Sequence, residues 1–185
     1  IGTTLVVQLL SFDIAALAPL LEHRAAEGLK TAVVTPQGIY DTFGTGQPNP
    51  EAIRVLVQEL PALRYLLLVG GAGTEPEAYV GETGALRVVT PFTRTAVLGE
   101  TPADALLAVD EGGRPRAAVG RFPVETEAAL HAVVEKILAW EHAAPPLAAL
   151  LLQDNEAEFR HNFDALASLI PGGADAPRLE LGEDG

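Results

Sequence analysis

Short apolar runs of strand type alternate with stretches of helical periodicity along most of this chain, and that alternation limits its fold more than any other feature. Thr4–Leu9 (TLVVQL) is the first run. Asp13–Glu27 then carries Ile14, Leu17, Leu20 and Leu21 at helical spacing, and Gly28 supplies the left-handed residue that ends such a helix. Thr31–Thr35 reads as the second strand, stopped by Pro36. Asn49-Pro50-Glu51 is a capped helix start leading into Ala52–Leu60, and Tyr65–Val69 is a fully apolar third strand ending in Gly70-Gly71. The pattern predicts an α/β fold, a doubly wound and mainly parallel sheet with helices on both faces, in three layers.

Between Gly70 and Pro115 the pattern dissolves into glycine, proline and threonine, leaving room for a short strand at Leu86–Val89 and a helical turn at Ala103–Ala108. Connections this long are often functional. Ala117–Gly120 reads as the next strand, and Glu125–Trp140 as a helix with Leu130, Val133, Val134, Ile137 and Trp140 on one stripe. Pro145-Pro146 breaks the chain there. Two subdomains are therefore expected, residues 1–144 and residues 145–185. In the second, Leu147–Leu152 is a strand, Glu156–Leu169 a helix and Arg178–Leu181 the start of another strand, the opening of a second α/β unit.

Composition narrows the function. With 12 Lys+Arg against 25 Asp+Glu, the formal charge is −13, which opposes binding to nucleic acid or to an anionic membrane surface. No apolar run approaches the roughly 20 residues of a membrane span, and Gln8, Ser11 and Asp13 interrupt the apolar start. The absence of methionine suggests a processed chain or an excerpt from a longer one. Zero cysteines remove disulfides, thiolate metal sites and a cysteine nucleophile from these 185 residues.

Each chemical motif competes with a plainer reading. Gly71-Ala72-Gly73-Thr74-Glu75-Pro76 follows a strand as phosphate-binding turns do, but Pro76 stands where the third glycine belongs, so it reads as a tight loop. His23, His131, His142 and His161 lie in no HExxH, and Glu158 with His161 reads as a solvated helical pair. Ser11 and Ser168 lie outside any G-x-S-x-G elbow. Asp104, Asp110 and Glu111 near Gly112-Gly113 resemble a calcium loop, yet Arg114 and Arg116 follow where further acids are wanted, which favours a turn. Asp154, just after the Leu147–Leu152 run, suits either of two roles: orienting a histidine at the carboxyl edge of a sheet, or capping the next helix together with Asn155.

Several segments together resemble the gingipain-like cysteine peptidases, a caspase-related family. The segments are Pro19–Leu29, Ile39–Phe43 with Gly46 and Pro50–Arg54, Tyr65–Gly70, Thr90-Pro91-Phe92, Leu98–Thr101 with Asp104, Val119–Thr126 (VGRFPVET), and Val134, Lys136–Leu138, Trp140-Glu141. Gly71 and Arg116 stand where the family carries aspartates. The resemblance implies a Rossmann-like, caspase-like three-layer fold. It also implies a catalytic histidine and cysteine in a second subdomain of a longer parent, which the first subdomain supports. Asp154 falls where the family places the acid that orients this histidine, and Arg121 is expected to clamp neighbouring carbonyls. The implied partners are the catalytic subdomain of the same parent and a protein or peptide substrate. No cofactor is expected, and calcium, possible in the parent, finds no support in these residues. Secretion or cell-surface display is implied by the resemblance alone, and a non-catalytic binding or secretion-associated module is the alternative.

Overall fold

The computed structural model describes residues 3–8, 13–72, 88–143, 151–153, 166, 169 and 178–180. The chain divides into two compact units, Ile1–Leu138 and Ala139–Gly185. In the first, β1 (Thr3–Gln8), β2 (Lys30–Val34), β3 (Leu63–Val69) and β6 (Ala118–Phe122) form one parallel sheet in the order β2-β1-β3-β6. Leu5 pairs with Ala32 on one side and Leu66 on the other, and Leu66 pairs in turn with Val119. Because β2 and β3 flank β1, the chain reverses its direction of winding there, which is the topology the alternation predicts.

The helices that cover this sheet are set by local signals. Asp13 caps a 3-10 turn at Ile14–Ala16 by accepting from the Ala15 amide at 2.9 Å, and α1 (Ala18–Ala26) starts only afterwards, with Pro19 in its first turn. One continuous helix over Asp13–Glu27 was expected; the turn and Pro19 divide it in two. At the other end Gly28 takes φ +86°, and Leu29 N donates to Arg24 O at 3.0 Å, a left-handed close. Pro36, expected only to stop a strand, opens α2 (Pro36–Phe43): Thr35 accepts from Gly38 N at 3.2 Å, and the proline occupies a position whose N–H would have no partner. Asn49 caps α3 (Pro50–Gln58) through Glu51 N at 2.9 Å, as its sequence predicts. Gly44 lets α2 and α3 approach, since a Cβ there would lie 3.0 Å from Tyr40 O and 3.3 Å from the Ala52 Cβ.

The expected strand at Leu86–Val89 is corrected in part. Val88 and Val89 are fully buried yet belong to no strand, while Leu86 lies outside the described residues. The region instead holds an antiparallel hairpin, β4 (Phe92–Thr95) and β5 (Gly99–Pro102). Thr95 Oγ1 accepts from Leu98 N at 3.1 Å and so braces the tip, where Val97 and Leu98 are exposed. The expected turn at Ala103–Ala108 is a 3-10 helix over Asp104–Ala108 with Leu107 and Ala108 buried.

The core runs through Val6, Leu66, Leu68 and Val69 of the sheet, Leu20 of α1, Ile39 and Tyr40 of α2, and Ile53 and Val57 of α3. Each fully buried aliphatic side chain of this kind stabilises by about 1.5–3 kcal/mol relative to exposure. Helix α4 (Glu127–Ala143) is capped by Thr126, whose hydroxyl accepts from Ala129 N at 3.2 Å, and it adds Leu130 and Val134 to that core. Trp140 leaves the expected stripe, being 67% exposed. In the second unit β7 (Leu151–Gln153) pairs in parallel with β8 (Arg178–Glu180), the arrangement a strand–helix–strand unit requires. The expected helix between them lies outside the described residues apart from Leu166 and Leu169.

Candidate functional site

The carboxyl edge of the four-stranded sheet, where doubly wound folds gather their chemistry, is organised around one arginine. Arg121 pairs in register with Leu68 near the end of β6, and its side chain is only 10% exposed. Its Nε donates to Asp104 Oδ2 at 2.7 Å and its Nη2 to Asp104 Oδ1 at 2.7 Å, a two-pronged pairing. The remaining terminal nitrogen, Nη1, donates both to Gly70 O at 2.9 Å, just after β3, and to Val88 O at 3.0 Å. One guanidinium therefore joins β6, the end of β3, the returning segment at Val88 and the 3-10 helix that begins at Asp104. The sequence reading of Arg121 as a clamp on carbonyls holds.

Burial raises the Asp104 pKa, but the Arg121 hydrogen bonds, the Thr90 hydroxyl and the Arg121 charge outweigh it and hold the carboxyl below its ordinary value. An ionised, doubly paired carboxylate of this kind is a poor general base, and the guanidinium engages four of its five N–H groups on these partners. The pair positions the chain segments that meet at this edge.

Asp104 therefore separates from the calcium-loop grouping suggested by its neighbours. Asp110, its companion there, turns the chain by itself: its Oδ1 accepts from Gly112 N at 2.8 Å and Arg114 N at 2.9 Å, and Val109 bridges Pro115. The plain-turn reading holds for that residue. The departures at Gly71 and Arg116 differ in kind. A Cβ at Gly71 would meet nothing within 4 Å, so space does not forbid a side chain there. Arg116 donates to Gln58 O at 3.4 Å, placing a cation at the C-terminal end of α3 where the helix dipole favours one.

Three of the histidines lie among the described residues, on helices. His131 lies 3.8 Å from Glu127 on the exposed side of α4, and His23 lies 3.8 Å from Glu27 on α1. His142 lies in the last turn of α4. Asp154, His161, Glu158 and the segment from Gly73 to Arg87 fall outside the described residues. The pairing of Asp104 with Arg121 was missed in the sequence, although a signal existed. An arginine directly after the Ala117–Gly120 run, at the edge of a covered sheet, calls for an acid, and Asp104 is one of two aspartates between the third and fourth parallel strands.

A sequence profile of Peptidase family C25 matches residues 3–172. The chain belongs to peptidase family C25. The likeness to the gingipain-like cysteine peptidases extends to three dimensions. The C25 chain superposes on the Arg-specific cysteine proteinase gingipain R with a TM-score of 0.69 at 16% identity, covering 98% of this chain and 42% of that one. It matches a complex of the pro- and mature domains of RgpB from Porphyromonas gingivalis with a TM-score of 0.67 at 16% identity, covering 98% and 43%. For dimeric latent PorU from the same organism the TM-score is 0.56 at 20% identity, covering 88% and 20%. At these identities the likeness is one of fold, and the chain spans less than half of each of these structures. No curated protein sequence matches it significantly. Among the described residues no helix is long and apolar enough to cross a membrane.

Proposed function

We propose that this chain is the supporting α/β unit of a C25 cysteine endopeptidase, with residues 1–144 as the scaffold and residues 145–185 opening the subdomain that carries the chemistry. The observation that carries the reading is a family match across residues 3–172 in a sequence without a single cysteine. A C25-type mechanism needs a thiolate that attacks the peptide carbonyl, a histidine that protonates the departing amine, and water that then hydrolyses the acyl-enzyme. With no thiol present, these residues supply support. The sheet and its Arg121-clamped edge form a rigid surface, and the partners are the catalytic subdomain of the same polypeptide and a protein or peptide substrate. No cofactor is needed for that chemistry, and the pairing of Asp104 with Arg121 and of Asp110 with backbone amides gives calcium no support among those acids. Secretion or surface display follows from the family likeness.

Within this proposal Asp154 orients the catalytic histidine and stabilises its imidazolium form. The test is Asp154→Asn in a polypeptide that joins these residues to the rest of a C25 domain. A fall in kcat with an altered pH profile is expected, while an unchanged rate and profile would leave Asp154 as a helix cap.

The absence of cysteine also favours a second reading, a peptidase-like fold used as a binding or secretion-associated module. A histidine followed by glycine and a cysteine at a later strand end, in the residues beyond Gly185, separate the two readings. If that region is present without the pair, the module reading stands.

A further inference from the structure

We infer that the tip of the β4–β5 hairpin, Ala96-Val97-Leu98, is a docking plug covered by the chain that continues beyond Gly185 in the peptidase proposed above, a partner whose existence rests on that reading. Hairpin turns are ordinarily built from glycine, asparagine, aspartate and serine. Here the three residues between the strands are all apolar and all exposed, Val97 at 90% and Leu98 at 75%. Single exposed apolar side chains are common, but these two are adjacent and are the most exposed large apolar side chains among the described residues.

The tip is held in one shape. Thr95 Oγ1 accepts from Leu98 N at 3.1 Å and donates to Gly99 O at 3.2 Å, and Gly99 closes the turn at φ +69°, the left-handed residue that a three-residue hairpin loop requires. The base is fixed as well: Ala103 N donates to Pro91 O at 2.8 Å, and Asp104, the next residue, pairs with Arg121. The stem between them suits water, with exposed Arg94 opposite exposed Glu100. The hairpin thus presents two apolar side chains on a preorganised turn, which lowers the ordering cost of docking. Two side chains bury far less than the roughly 800 Å² that each partner of a stable free-standing complex contributes, so neither a second copy nor a diffusing protein is held by the tip alone. A segment of the same polypeptide needs no such area, because tethering supplies a high effective concentration. Gingipain R, which superposes on 98% of this chain, is matched over only 42% of its own length, so a polypeptide of that fold has chain enough outside the matched part to supply the cover.

The test is thiol alkylation by iodoacetamide, read peptide by peptide from mass, which a cysteine-free chain makes clean. Val97→Cys places a thiol at the tip, and Glu59→Cys places a reference thiol at the exposed end of α3. Each is made in the 185-residue chain and in a polypeptide that joins it to the remainder of a C25 domain, with the catalytic cysteine of that remainder replaced by serine. Both thiols are expected to react as exposed groups in the 185-residue chain, and in the longer polypeptide the tip thiol alone should slow, by at least about tenfold. The double variant Val97→Ser with Leu98→Ser gives a second reading: the urea midpoint of the 185-residue chain should stay where it is, and that of the longer polypeptide should fall. The inference is overturned if the tip thiol reacts equally fast in both polypeptides, whether or not added peptide substrate then protects it. It is equally overturned if that thiol is already slow in the 185-residue chain, which would assign the cover to these residues themselves, or if the double variant leaves both midpoints unchanged. Neither reading uses turnover. A longer polypeptide that shields the tip but is inert with its cysteine restored contradicts the catalytic reading alone, and one that turns over with the tip thiol still fast contradicts the plug alone.

Discussion

Arg121 and Asp104 show how much of an edge can rest on one pair of side chains. Removing the cation strands a partly buried carboxylate and the carbonyls of Gly70 and Val88, so Arg121→Ala is expected to cost about 3–5 kcal/mol by urea denaturation, toward the lower end because Asp104 keeps some solvent contact. The pair also predicts a pH dependence. In the unfolded chain Asp104 titrates near its ordinary value of 3.8; in the folded chain burial raises that value, but the Arg121 and Thr90 hydrogen bonds and the Arg121 charge outweigh the burial and hold it lower. The stabilisation is therefore complete above about pH 4 and is lost as pH falls through the lower folded value. Wild-type chain and Asp104→Asn should differ clearly in denaturation midpoint at pH 7 and converge toward pH 3. A difference that persisted undiminished at pH 3 would mean that Asp104 does not act through its charge. At this scale the resemblance to the gingipain-like peptidases was enough to expect Arg121 to clamp carbonyls, but not to identify its partners. They arrive from seventeen, thirty-three and fifty-one positions away, separations that no local pattern encodes.

Elements were legible where a single physical signal dominated. The parallel strands follow from unbroken apolar runs, and α3 from an asparagine cap, a proline in the first turn and a helical stripe. Helix α2 was missed because Pro36 ends a strand and starts a helix at the same position, and a sequence rule that knows the first role hides the second. The hairpin at β4 and β5 was missed because Phe92–Thr95 and Gly99–Pro102 are four-residue strands without apolar alternation, held by Thr95 at the tip. Trp140 shows the limit of periodicity, since helical spacing places it on the stripe but only neighbouring structure decides whether that turn is covered. Two substitutions check the account of the elements. Thr35→Ala removes the α2 cap and should cost about 1 kcal/mol, whereas Leu68→Ala in the middle of the sheet should cost about 2–5 kcal/mol. Equal and small losses in chemical denaturation would contradict the placement of Leu68 in the core.

For the molecule as a whole, the alternation of strands and helices was enough for the doubly wound sheet, and the match to peptidase family C25 agrees with it. Function was less legible, because the chemistry of a cysteine peptidase is concentrated in a thiol and a histidine, and these 185 residues contain no cysteine. The cysteine-free composition is therefore the most informative whole-chain property. Under the proposed function it separates support from turnover, and it makes the two separately measurable. The direct measurement is hydrolysis of a fluorogenic peptide library by the purified 185-residue chain, beside a polypeptide that joins it to the remainder of a C25 domain, each with and without a cysteine alkylator. The account predicts no turnover from the 185 residues and alkylator-sensitive turnover from the longer polypeptide. Turnover that follows the 185-residue chain at constant specific activity through purification, or a longer polypeptide that is folded yet inert, would contradict it.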